Sequence, residues 1–118
     1  MTLQRNLEIF RGDTKVLEGQ AKNSADDTPI DLTGALLWFT VKKKRSDVDP
    51  GVLQKTVGSG ILITDALQGE FKIEVAPSDT ASLNGRFYWD LQLKNTIGQI
   101  FTLASGIFNV VIDVTKAT

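Results

Sequence analysis

The chain contains no histidine and no cysteine, so any chemistry it performs must come from carboxylates, hydroxyls, amines and guanidinium groups. Without imidazole it lacks the usual general base and every Ser-His or Cys-His nucleophile pair. Without thiol it has no disulfide and no cysteine-ligated zinc or iron–sulfur site. Acid–base work on a sugar would need two converging carboxylates, and Asp26 with Asp27, or Asp90 with Glu70, are the pairs on offer. Alternation places Asp90 on the outer face of its strand, where pairing across to a Lys or Thr is the simpler expectation. The reading is therefore of a non-enzyme with no catalytic residue, no cofactor and no metal.

Four short motifs have a binding chemistry attached and a simpler explanation beside it. Arg11-Gly12-Asp13 is the tripeptide that adhesion ligands present to integrins, yet Gly-Asp between two strands is also what a tight turn requires. Asp47, Asp49 and Gly51 imitate the start of a calcium loop, but Pro50 breaks the pattern and Gly58 stands where a bidentate Glu is needed. The basic run Lys42-Lys43-Lys44-Arg45 lacks interleaved aromatics and reads as a solvated strand end. Gly58-Ser59-Gly60 has no following Lys-Ser/Thr and no helix to present amides to a phosphate, and reads as a hairpin turn.

The elements that would position such groups are strands. Apolar residues recur with period two in short runs separated by Gly, Asn, Asp, Ser and Pro, the pattern of an antiparallel β protein. Phe71, Ile73 and Val75 alternate with Glu70, Lys72 and Glu74. Residues 86–94 put Phe87, Trp89, Leu91 and Leu93 on one face and Tyr88, Asp90, Gln92 and Lys94 on the other. Asn95 to Gly98 should turn this strand into residues 99–103 as a hairpin. Gly106 should then interrupt, and a closing strand over 107–114 should bury Phe108, Val110, Ile112 and Val114.

Weaker strands are expected over 6–10 and 14–20, with a polar loop over 23–29, and extended structure resumes over 52–57 and 61–64. One short helical turn is expected at 78–83, after Pro77 and before Gly85. Residues 35–41 carry apolar side chains on both faces, so a second layer should cover this strand. About eight such strands in a single domain over 1–118 favour an all-β, antiparallel two-sheet sandwich over a barrel, with barrel closure left open.

Leu36, Trp38 and Tyr88 are the candidate interface residues, because counting places them opposite the core stripes, where large side chains would otherwise meet water. The 13 basic and 14 acidic residues leave a net charge of −1, which provides no field for nucleic acid or an anionic membrane. The first residues lack the apolar core of a signal peptide and no run suffices to span a membrane, so synthesis in a cytoplasm is expected.

Two stretches carry a resemblance. Asp79-Thr80-Ala81-Ser82-Leu83, Gly85-Arg86-Phe87-Tyr88-Trp89-Asp90-Leu91-Gln92-Leu93 and Gly98 precede Leu103-Ala104-Ser105-Gly106-Ile107-Phe108-Asn109-Val110 and Asp113-Val114-Thr115. Together with Arg11-Gly12-Asp13-Thr14 and Pro29-Ile30-Asp31-Leu32-Thr33-Gly34-Ala35, this series resembles small domains of tailed-phage structural proteins, such as the N-terminal domain of the upper baseplate protein. The resemblance implies an immunoglobulin-like sandwich and a virion component of tail, baseplate or neck, made in the bacterial host cytoplasm. Its implied partners are other virion proteins and further copies of itself in a homo-oligomer. Baseplate proteins usually continue into further domains, so a stand-alone relative is expected of a sequence ending at Thr118. A carbohydrate-binding module is the alternative, with Trp38 and Tyr88 stacking on sugar rings.

Overall fold

A computed structural model describes residues 3–23 and 25–114, with only the backbone of Leu3 and Gln4. Thr115, the last residue of the resemblance, lies outside that range. Among the described residues nine strands and one helical turn follow in the order β1 (Leu3–Gln4), β2 (Leu7–Phe10), β3 (Lys15–Gln20), β4 (Leu36–Lys42), β5 (Leu53–Val57), β6 (Gly60–Asp65), β7 (Glu70–Val75), α1 (Pro77–Thr80), β8 (Gly85–Lys94) and β9 (Ile100–Val111).

The all-β expectation holds, and the closure is nearer the barrel left open than the favoured two-sheet sandwich. Hydrogen bonds link the strands into one sheet, β1-β9-β8-β4-β5-β6-β7-β3, with β2 also on β9, and this sheet curls nearly into a barrel. The bonding passes the corner through two parallel register pairs between β5 and β6, Thr56 with Gly60 and Val57 with Ile61. Gly58 and Gly60, at φ 86° and 101°, permit that corner. Gly58-Ser59-Gly60 is therefore a turn, but it does not make an antiparallel hairpin. The sheet is also mixed, because β1 and β2 run alongside β9 in the same direction. The turn at Arg11-Gly12-Asp13 then carries the chain across the barrel to β3, which pairs with β7. Among the described residues the barrel stays open between β2 and β3, over a trough lined by Leu7, Leu17, Phe71, Ile73 and Leu91.

The alternating stripes build the core. Phe71, Ile73 and Val75 of β7, Phe87, Trp89, Leu91 and Leu93 of β8, and Leu37, Phe39 and Val41 of β4 are all buried. Phe39 sits at the centre. Its ring lies 5.6 Å from that of Trp89 and 6.2 Å from that of Phe108, within the range of favourable tilted and edge contacts.

The C-terminal strand corrects the expectation. Gly106 does not interrupt it, and β9 is a single strand of 12 residues paired along the whole of β8. Phe108 and Val110 are buried as expected, but the strand ends at Val111, leaving Ile112 and Val114 exposed because they lack a paired neighbour to hold them inward. The helical turn is likewise shorter than 78–83, spanning Pro77–Thr80. The carboxylate of Asp79 accepts the Ala76 N–H at 2.7 Å, and the buried Thr80 hydroxyl accepts the Gly12 N–H at 2.9 Å, so the turn seals one end of the barrel.

A polar row between two aromatics

The outer face of β4, β8 and β9 carries the three interface candidates. Antiparallel register sets Leu36 opposite Lys94, Trp38 opposite Gln92, Thr40 opposite Asp90 and Lys42 opposite Tyr88. Trp38 and Tyr88 are therefore about 13 Å apart along the strands, at ~3.3 Å per residue over the four residues from Trp38 to Lys42. Both are half-buried, and Leu36 is 49% exposed. The expected second layer over β4 does not cover Leu36. Its neighbours Lys94 and Ile100 lie on the same sheet face instead of above it.

Between the two aromatics runs a row of polar residues across four strands. Gln54 of β5 is opposite Thr40 of β4, Thr40 is opposite Asp90 of β8, and Asp90 is opposite Ser105 of β9. Gln54 donates its amide to the Thr40 hydroxyl at 3.0 Å. Residue 103 is the extra residue of a bulge after Leu91, which shifts Thr102 opposite Gln92 and keeps it on this face. A depression of ≈ 260 Å³ lies here, lined by Thr40, Lys42, Arg45, Tyr88, Asp90, Thr102 and Ser105 among others.

Two residues of the basic run, Lys42 and Arg45, lie at this face. Lys42 pairs with Asp49 at 2.7 Å, and the Arg45 guanidinium lies 4.7 Å over the Tyr88 ring. Lys43 sits 4.8 Å from the Phe87 ring centre and donates to the Arg86 carbonyl. β4 ends at Lys42, and Lys43, Lys44 and Arg45 are exposed, the solvated strand end expected, with Lys42, Lys43 and Arg45 also held by these partners.

Asp90 is the electrostatic centre of the face. Burial pushes its carboxyl above the usual carboxylate range, the Lys42 charge opposes that rise and the Asp49 charge adds to it. Among the described residues Asp90 forms no ion pair. Sequence reasoning put Asp90 on the outer face opposite a Lys or Thr, and Thr40 is that partner. It missed Arg45 and Ser105 as neighbours. Arg45 comes from a loop and Ser105 from a strand whose register depends on the bulge.

The other motifs have structural roles. Arg11 pairs with Asp113 at 3.0 Å, Gly12 turns with φ 82°, and the Asp13 N–H donates to the Phe10 carbonyl. Asp47 accepts the Lys44 N–H at 3.0 Å, while Asp49 is committed to Lys42. Asp26 and Asp31 each accept from the hydroxyl and the N–H of the Thr two residues on, which lowers both carboxyls below their ordinary range. Asp27 pairs with Lys22. Among the described residues no three carboxylates converge as a metal site would require.

Fold and face together define an all-β domain with a mixed aromatic and polar surface across one side of a near-closed barrel. No protein family's profile matches the chain, and no curated protein matches it either.

Proposed function

We propose that this chain is a structural or adaptor protein of a tailed-phage virion, acting in the tail, baseplate or neck through protein–protein assembly and not through catalysis. The observation that carries the assembly half of this reading is the outer face of β4 and β8, where Leu36, Trp38 and Tyr88 stand in one register frame at the surface. Large aromatic and aliphatic groups beside a polar rim are the composition of interface centres. The virion setting rests on the sequence resemblance through residues 79–115. Its partners are other virion proteins and further copies of the chain in a closed ring, the usual form of a homo-oligomer.

In the same reading the near-barrel is an immunoglobulin-like sandwich, its halves β1-β9-β8-β4-β5 and β6-β7-β3 meeting at the short β5–β6 corner. Engagement of Lys42 by Asp49, Lys43 by Phe87 and Arg45 by Tyr88 favours a protein partner over nucleic acid or a membrane. The test is to express Leu36→Asp and Trp38→Ala variants in place of the native chain during phage growth. Loss of the chain from assembled particles, with its fold intact, is the expected outcome.

A further inference from the structure

We infer that the ≈ 260 Å³ depression on the outer face is a saccharide-binding site, holding one sugar ring against Tyr88 and Asp90, with a second ring reaching along β4 toward Trp38. Sugar hydroxyls both donate and accept, so their site must present both functions within one ring's reach. Here Asp90 accepts, Lys42 and Arg45 donate, and Thr40 brings a hydroxyl that can do either.

The charges near the depression balance, Lys42 and Arg45 against Asp49 and Asp90, which suits a neutral polyol better than a phosphate or a free cation. Aromatics flank the polar row on its two sides, Tyr88 opposite Lys42 and Trp38 two residues before Thr40 on β4. Asp90 is retained part-buried among the described residues without an ion pair, and burial raises its carboxyl. A part-buried carboxyl set in a surface depression beside hydroxyls and cations is an arrangement shared with ligand sites. This inference goes beyond the virion reading and does not depend on it.

The test is a titration of the isotope-labelled wild-type chain, followed by its amide NMR spectrum. The probes are the methyl pyranosides of glucose, galactose, mannose, rhamnose and N-acetylglucosamine, then maltose, lactose and chitobiose, with glycerol as control. At least one sugar should give saturable shifts at millimolar concentration, confined to amides of residues 38–45, 86–92 and 102–107. A disaccharide should bind more tightly than its monosaccharide.

Asp90→Ala and Trp38→Ala, each with wild-type spectral dispersion, should weaken binding at least about tenfold, equivalent to about 1.4 kcal/mol. The inference is overturned if no sugar in the set gives a saturable shift, if the shifts map to another face, or if Asp90→Ala binds undiminished. It is equally overturned if an arginine-containing peptide shifts these amides and no sugar does, which would assign the depression to a protein partner. Particle incorporation, the test of the virion reading, is read separately from all of these outcomes.

Discussion

The indole N–H of Trp89 donates to the main-chain carbonyl of Arg5 at 3.0 Å, and the two meet over Gly106 of β9. Between its pairings at β1 and β2, the N-terminal segment turns this carbonyl inward, into the space where a side chain at 106 would stand. A Cβ there would run into the Arg5 carbonyl, so glycine is required by close approach while the β9 ladder continues unbroken.

Gly106→Ala should therefore cost roughly 3 kcal/mol, since the obstacle is backbone that cannot rotate away. Trp89→Phe should cost about 2 kcal/mol, because it shrinks a buried ring and leaves the Arg5 carbonyl without its donor. Urea unfolding of both variants checks this. A Gly106→Ala protein as stable as the wild type would contradict the close approach.

Lys55 and Asp79 form a 2.7 Å ion pair with each side chain only 16% exposed. Lys55 lies opposite Phe39, on the inward side of β5, and Asp79 also receives the Ala76 N–H. Removing the acid strands a nearly buried ammonium and uncaps α1 together. Asp79→Ala should cost about 3 kcal/mol and Lys55→Met less, because methionine keeps the apolar stem while Asp79 retains its backbone donor. Thermal melts at one pH rank the two, and the reverse order would show that the pair does not hold the barrel end.

Asp90 gives a pH signature. Its folded pKa lies above its ordinary 3.8, with burial the main cause, so the folded state holds this proton more tightly than the unfolded chain. Stability contributed by the group is present below 3.8 and is lost as pH rises through the raised value. At pH 7 the charged form opposes folding, and Asp90→Asn should melt higher than the wild type, the gap closing as pH falls toward 3.8. Asp26 and Asp31 have the opposite sign, contributing stability above 3.8 that is lost as pH falls through their lowered values. Melting curves across this range that leave Asp90→Asn no more stable at pH 7 would contradict the burial of the carboxylate.

Much of the core was readable from alternation, because burial on one side forces period two. The stripes of β7, β8 and β4 fall where residues 71–75, 87–93 and 35–41 place them. What alternation could not convey was how strands pair. The parallel placement of β1 and β2 on β9 depends on contacts a hundred residues apart, and Gly106 looked like a break because its neighbour Arg5 is invisible to local pattern. For the same reason Trp38 and Tyr88 were identified singly, while the row Gln54-Thr40-Asp90-Ser105 between them required the register of four strands.

The outer face should tolerate change without loss of fold. Tyr88→Ala gives up a half-buried ring and its Arg45 contact, and should cost no more than about 1–2 kcal/mol. Leu36→Asp, at a 49% exposed position, should be nearly neutral. Chemical denaturation of each variant provides the check, and it separates folding from assembly.

Under the proposed virion reading, quantitative mass spectrometry of purified phage particles tests the assembly claim most directly. Peptides of the native chain should be present at a fixed copy number per particle that fits a closed ring, and the folded Trp38→Ala/Tyr88→Ala double variant should be missing. Particles lacking the native chain, or incorporating the double variant at the native level, would contradict it.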